Sequence, residues 1–400
     1  MDSGSAGNDE ELSGRNHKAR GTASMRHLSF LIKPASSLCN MRCRYCFYSD
    51  ISAARETPSY GIMSLETADK ILGNIFDSID DRDEITFAFQ GGEPLLAGLP
   101  WFRHFTETAA SRKKSGALNY AVQTNGLLLD DAFCEFFHEH NFLTGLSIDA
   151  GRRFHDSNRL TASGGGTFAA CLRAKALLEK HHAEYNILSV LTPDLAKEAD
   201  RAWRFIINEN IRFIQFIPCL GPLPGERADQ KQASGNTLSP ALFAKFYIRL
   251  LPRWMEEFEK GNYISIKFFD DAVNYFLRGK PTACGIDGLC HNQFVIEADG
   301  SVYPCDFYAV DQYRAGSLAE SPLRELFFTS ELRTFLSNKP ELSEICAPCR
   351  FLKTCRGGCK RMQSVMYAGP GDAVCGCKLF LEKCLGPLEE VVRKSISQRR

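Results

Sequence analysis

Three cysteines in a C-x3-C-x2-C spacing, Cys39, Cys43 and Cys46, stand behind the apolar run Leu28-Ser29-Phe30-Leu31-Ile32. The run through Lys33 reads as a short buried strand, with the cysteine loop at its C-terminal end. Three thiolates on so tight a loop can hold three irons of a [4Fe–4S] cluster. Such clusters are usually held by four thiolates, so the fourth iron is left open to a small chelating molecule. A zinc loop or three chance thiols is the competing reading, but zinc sites favour paired Cys/His ligands.

The rest of the first half alternates strand and helix. Strands are expected at Glu84–Gln90, Leu118–Thr124, Phe142–Asp149, Tyr185–Thr192 and Ile211–Ile217, from their β-branched and aromatic content. Helices are expected from Ser64, a capping residue, and over Trp101–Ala110, Asp130–His140, Thr167–His182 and Asp194–Asn210. Counting a helix after the long Leu220–Ser239 loop, six strand–helix units imply a parallel sheet covered by helices. Six are too few for the eight-unit closed barrel, so the expected fold is α/β, an open partial (β/α)6 barrel. Parallel barrels carry their chemistry at the C-terminal strand ends. The cysteine loop, Gly91-Gly92-Glu93-Pro94, Thr124-Asn125-Gly126, Ser147-Ile148-Asp149 and Pro218-Cys219-Leu220 all follow strands. The paired glycines allow a ligand close to the backbone, and the exposed carbonyls with the Glu93 carboxylate suit an ammonium group.

Helices at Pro240–Lys260 and Phe268–Arg278 lead out of the barrel. A second region opens at Cys284, with alternating residues around Asp299-Gly300 marking a two-residue hairpin, a helix over Leu323–Leu336 and a closing helix from Lys378. The expected division is a disordered tail (1–25), the barrel (26–238), a helical connector (239–283) and a cysteine-rich domain (284–400). Eight of the sixteen cysteines fall between Cys305 and Cys384. Cys284, Cys290 and Cys305, then Cys346, Cys349, Cys355 and Cys359, then Cys375 and Cys377 offer enough thiolates for two further four-thiolate clusters. A double zinc ribbon would repeat C-x2-C pairs, and only Cys346/Cys349 fits. Cys134, Cys171, Cys219 and Cys384 read as structural thiols.

Lys+Arg and Asp+Glu balance at 48 each, so no global pull toward nucleic acid or anionic lipid is expected. No stretch is long and apolar enough to span a membrane. The polar N-terminal segment lacks the apolar centre of a secretory signal, and clustered cysteines without a secretory context point to metal in the cytoplasm.

With these residues in view, the chain resembles the anaerobic sulfatase-maturating enzymes, radical S-adenosylmethionine (SAM) proteins with a C-terminal cysteine-rich SPASM domain. The resemblance runs from about Phe30 to Lys383. It rests on Cys39-Asn40-Met41-Arg42-Cys43-Arg44-Tyr45-Cys46-Phe47-Tyr48, Phe89-Gln90-Gly91-Gly92-Glu93-Pro94, Gln123-Thr124-Asn125-Gly126, Gly145-Leu146-Ser147-Ile148-Asp149 and Asp299-Gly300-Ser301-Val302-Tyr303-Pro304-Cys305-Asp306-Phe307-Tyr308. Ala150-Gly151 departs from the family's usual Gly-Pro after the fourth of these.

The resemblance implies that Cys39, Cys43 and Cys46 hold the SAM cluster, and that Tyr45, Gly92, Ser147, Arg159 and Leu220 contact SAM. Cys284, Cys290, Cys305 and Cys359 would hold a first auxiliary [4Fe–4S] cluster. Cys346, Cys349, Cys355 and Cys377 would hold a second, with Cys377 preferred to Cys375 on family pattern alone. Gln90 and Tyr48 would face the peptide substrate, and Asp306 would act as the base. The implied reaction is radical oxidation of a Cys or Ser in an unfolded sulfatase segment to Cα-formylglycine, with an external one-electron reductant such as flavodoxin or ferredoxin. Two other readings fit parts of the pattern: a SPASM maturase that crosslinks a ribosomal peptide, and a non-catalytic iron–sulfur electron-transfer or zinc-binding adaptor.

Overall fold

The computed structural model describes residues 25–223 and 237–397. The expected N-terminal tail, apart from Met25, lies outside the described residues, as does much of the expected loop after Leu220.

Six parallel strands form the centre of one sheet: β1 (His27–Ile32), β2 (Glu84–Phe89), β3 (Leu118–Thr124), β4 (Phe142–Ser147), β5 (Tyr185–Leu191) and β6 (Phe213–Pro218). A short β7 (Ser265–Ile266) adds parallel to β6 at one edge. At the other edge β8 (Val295–Ile296) pairs parallel with β1, followed by antiparallel β9 (Ser301–Tyr303) and β10 (Gly316–Ser317). The ten strands run β10-β9-β8-β1-β2-β3-β4-β5-β6-β7 and the barrel stays open.

Local sequence explains where two of the covering helices begin. Ser64 caps the helix Leu65–Phe76, its side chain accepting from the Thr67 N–H, and Asp130 does the same for Asp131–Glu139 through the Phe133 N–H. Such caps satisfy N–H groups that the first helical turn leaves unpaired. Aromatic side chains fill the space between sheet and helices. The Phe89 ring lies 5.1 Å from those of Phe102 and Phe105, both edge-on.

The structure departs from the sequence expectation at several joints. The hairpin does not turn on two residues: Glu297 N–H still bonds the Ser301 carbonyl, so Ala298-Asp299-Gly300 form the loop. Gly300 takes the left-handed conformation this needs, at φ +88°. The hairpin joins the barrel's own sheet, with Lys33 N–H donating to the Ile296 carbonyl at 2.8 Å. The helix expected over Asp194–Asn210 is two, Pro193–Ala196 and Ala199–Asn208, because Glu198 leaves helical geometry. Extended Thr329 likewise divides Leu323–Leu326 from Ser330–Ser337. The segment expected as one helix over Phe268–Arg278 continues as a π-turn, Val273–Leu277, after the α-helix Lys267–Ala272. The short helix Phe47–Ala53, right after the cysteine loop, was not anticipated. The last helix, Gly376–Ser397, packs on Pro240–Glu259 through rings such as Phe380 and Tyr247.

Candidate active site

The loop after β1 and the turn after β2 touch directly. Gly92 N–H donates to the Ser36 carbonyl and Glu93 N–H to the Leu38 carbonyl, each at 2.8 Å. A Cβ on Gly92 would lie 2.0 Å from the Leu38 oxygen. The glycine is therefore required by the approach of two backbones, immediately before Cys39. Cys39, Cys43, Cys46, Tyr48 and Gly92 border a cavity of about 330 Å³, large enough for a small ligand.

Glu93 does not present its carboxylate to this cavity. It is buried and accepts from the Leu95 N–H, the Thr124 hydroxyl and the Asn125 N–H. The expectation that it meets an ammonium group is thus replaced by a clamp between the ends of β2 and β3. Asn125, held in this way, donates from its side-chain amide to the Asn40 side-chain oxygen Oδ1 at 2.7 Å and turns toward the Cys39 sulfur.

Beneath the cysteine loop, Tyr45 donates to Asp149, which also accepts from the Val190 N–H at 2.8 Å. The buried Arg159 guanidinium pairs with Asp149 at 3.3 Å and lies over the Tyr45 ring. Tyr45 and Arg159 are thereby brought together. Ser147 ends β4, and Leu220 packs partly buried against the main core beyond β6.

The hairpin delivers Asp306. It opens a single turn, Asp306–Tyr308, directly after Cys305. Lys33 Nζ donates to its Oδ1 at 2.5 Å and Gln90 Nε2 to its Oδ2 at 2.8 Å. Lys33 is fully buried and its ammonium lies 3.7 Å from the centre of the Tyr48 ring. Asp306, Gln90 and Tyr48 therefore converge, with Lys33 between Asp306 and Tyr48. The Tyr48 hydroxyl donates to Glu297 and accepts from the Arg55 guanidinium. Arg55 also pairs with Glu297 at 2.6 Å, and Ser36 donates to the other Glu297 oxygen at 2.9 Å. Sequence reasoning missed Lys33, Arg55 and Glu297. The available signal was a charge at the end of one apolar run and another inside an alternating hairpin.

The remaining thiols form two groups. Cys305 acts electrostatically on and with Cys359 and Cys284, and Cys290 with Cys284 and Cys359. Cys346, Cys349, Cys355, Cys375 and Cys377 all line a second pocket with Tyr367. Among the described residues no three His, Cys, Asp or Glu side chains converge tightly enough for a single metal ion. The three thiols of the first loop and the five of the second pocket instead stand around cavities, as a cluster requires when each iron takes one sulfur. Burial raises several of the thiols, Cys43 to about 12 and Cys284 to about 11, so binding iron there displaces their protons. Cys134, Cys171, Cys219 and Cys384 are buried and line neither pocket.

Two family models match the chain, the radical SAM superfamily over residues 34–206 and an iron–sulfur cluster-binding domain, SPASM, over 289–350. The cysteine-type anaerobic sulfatase-maturating enzyme of Clostridium perfringens strain 13 is 40% identical over 338 residues, covering 84% of this chain and 90% of the relative. A serine-type enzyme of Bacteroides thetaiotaomicron is 28% identical, over 84% and 83%. A structure of native anSMEcpe with bound AdoMet and Kp18Cys peptide superimposes with a TM-score of 0.81 at 36% identity, over 92% and 99% of the two chains. Streptococcus suis SuiB, at 16% identity and a TM-score of 0.56, shares the fold.

Proposed function

The chain belongs to the anaerobic sulfatase-maturating enzymes, and from that premise we propose that it oxidises a cysteine in a sulfatase Cys-x-Pro-x-Arg segment to Cα-formylglycine. The observation that carries this reading is the convergence of Asp306, Gln90 and Lys33 beside the cavity of the three-cysteine loop. A cysteine substrate is favoured over serine because the cysteine-type relatives are the more similar.

In this reading Cys39, Cys43 and Cys46 hold the SAM cluster. Cys284, Cys290, Cys305 and Cys359 hold one auxiliary cluster; Cys346, Cys349 and Cys355 hold the other with a thiol of the Cys375/Cys377 pair. When bound, the clusters and SAM supply the hydrogen-abstracting radical and accept the electron left on the substrate. The chain's own residues do the rest. Tyr45, Gly92, Ser147, Arg159 and Leu220 shape the SAM pocket. Asp306 takes the thiol proton, held in place by Lys33 and Gln90, and Gln90 borders the peptide. Water converts the resulting thioaldehyde to the aldehyde. An external flavodoxin- or ferredoxin-like reductant completes the system. A cytoplasmic setting is favoured by sixteen cysteines that are all free thiols.

The test is anaerobic reconstitution with iron and sulfide, then incubation with SAM, reductant and a Cys-x-Pro-x-Arg peptide or its serine counterpart. Formylglycine synthesis from cysteine removes about 18 Da and from serine about 2 Da, by the atoms exchanged in oxidation at Cβ. Deoxyadenosine formed with both peptides unchanged would move the reading to another peptide maturase.

A further inference from the structure

His155 is fully buried in the short helix Arg152–Asp156, which turns the chain back after Asp149. The Asp149 N–H donates to its Nδ1 at 3.2 Å. That nitrogen is therefore bare, and the ring proton sits on Nε2. Nε2 lies 2.9 Å from the Thr167 hydroxyl, which donates onward to the Arg159 carbonyl at 2.8 Å. Both ends of the ring agree on this tautomer, because Thr167 gives its own proton to Arg159 and so accepts from Nε2–H. The Cys171 thiol, 3.7 Å from the same nitrogen, donates to the Asn125 carbonyl instead. Burial and the nearby Arg159 and Arg152 guanidiniums lower the ring to about 3, which keeps it neutral. A charged ring would oppose a second donor to the Asp149 N–H.

Arg159 is thus held at both of its backbone polar groups by one residue. Its N–H donates to the His155 carbonyl at 2.7 Å, and its carbonyl takes the Thr167 proton. The residues on either side of it meet the three-cysteine loop. Arg44 N–H donates to the Asn158 carbonyl at 3.0 Å and Arg42 N–H to the Leu160 carbonyl at 2.7 Å. On the other side of the ring, Asp149 accepts from Tyr45 and pairs with Arg159. The imidazole therefore bridges the two backbone segments whose side chains meet beneath that loop. Filling the space needs only a ring; bridging needs both nitrogens.

We propose that His155, acting through Thr167, is a positioning residue for SAM, its ring fixing Asp149 against Arg159 in the arrangement that the cofactor meets. Groups fixed before a ligand arrives need not be ordered by it, and affinity rises accordingly. The inference rests on the proposed assignment of Tyr45 and Arg159 to the SAM pocket. It requires no contact between His155 and SAM.

The experiment measures SAM binding by equilibrium dialysis, without reductant, on full-length, anaerobically reconstituted protein. His155→Phe keeps a ring and removes both nitrogens. Thr167→Val breaks the relay to Arg159, and Thr167→Ser keeps its hydroxyl. At equal iron content and equal folded protein, His155→Phe and Thr167→Val are expected to weaken SAM binding by on the order of tenfold, about the worth of one net hydrogen bond. Thr167→Ser should bind as wild type does. With reductant added, KM for SAM in deoxyadenosine formation should rise by the same factor in Thr167→Val while turnover at saturating SAM is kept, because ground-state binding is what is lost. Wild-type affinity in Thr167→Val overturns the proposal. So does an equal loss in Thr167→Ser, or a fall in turnover with affinity unchanged. If His155→Phe fails to load iron, the two Thr167 variants decide alone. Failure of the functional reading looks different: wild type binds and cleaves SAM but leaves both peptides unmodified, while the affinities of Thr167→Val and Thr167→Ser still separate.

Discussion

Lys33 and Asp306, 273 positions apart, meet at 2.5 Å between the end of β1 and the turn that carries Cys305. Both are buried, and the ammonium is further enclosed by the Tyr48 ring. The pair fastens the cysteine-rich region to the strand that launches the SAM-cluster loop. On the proposed reading it sits where the substrate proton is taken.

Removing one partner of such a pair strands the other charge. Lys33→Met is expected to cost about 3–5 kcal/mol of stability, as buried pairs do when one side is lost. Lys33→Met with Asp306→Asn should recover much of that loss, because no charge remains unpaired. Denaturant unfolding of the four proteins in the cycle measures this. Additive losses would show that the contact carries no coupling.

Asp306→Asn alone removes the proposed base and also leaves the buried Lys33 ammonium without its carboxylate, so variant and wild type are compared at equal amounts of folded, cluster-loaded protein. SAM cleavage should continue, since it does not require that proton transfer. Formylglycine should fall by a factor on the order of 100 or more, the usual range for a lost general base. Deoxyadenosine and aldehyde counted in the same incubation separate the two. Full aldehyde yield would remove Asp306 from that role.

What the sequence disclosed was local. Ser64 and Asp130 announce their helices because each caps through its own neighbours. β3 was read correctly from Leu118 to Thr124 because its residues alternate and Asn125-Gly126 closes it. Long-range pairing was not legible. Nothing near Glu297 indicates that it meets Arg55, 242 positions earlier, or that its hairpin extends the sheet beside β1. The partner of the Tyr48 hydroxyl was hidden for the same reason: the motif shows the residue's place in the loop, but not which distant carboxylate accepts from it. Gly92 was recognised, yet its need for close backbone approach comes from Leu38 rather than from a ligand alone.

The five-thiol pocket makes a definite choice testable. The Cys375 thiol interacts with those of Cys355, Cys346 and Cys349, and its sulfur accepts the Lys378 N–H at 3.4 Å. Cys377 interacts with Cys375, Cys355 and Cys349, is more deeply buried, and belongs to the apolar core. Both thiols line the pocket with Cys346, Cys349 and Cys355, and of the two it is the Cys375 sulfur that a backbone N–H holds. Cys375→Ala is expected to lose one cluster's worth of iron, while Cys377→Ala should retain it. Iron and sulfide determination on the two reconstituted variants decides the matter. The opposite pattern would restore Cys377, the residue that family pattern favours.

The Glu93 clamp carries a pH signature. Burial raises its carboxyl to about 7, outweighing the Asn125 N–H, the Thr124 hydroxyl and the Leu95 N–H, which favour the anion. An unfolded glutamate titrates near ~4.3. With the folded value raised, its stabilising contribution is fully present below the unfolded value and is lost as pH rises through about 7. Glu93→Gln cannot titrate, so it should show no such decline. Across that window wild type should lose roughly 3 kcal/mol relative to the variant, read from denaturant unfolding at stepped pH. Parallel stability curves would mean that Glu93 is ionised throughout and that its three donors outweigh its burial. The Thr124-Asn125 segment would then be held beside Cys39 by a full negative charge rather than by a shared proton.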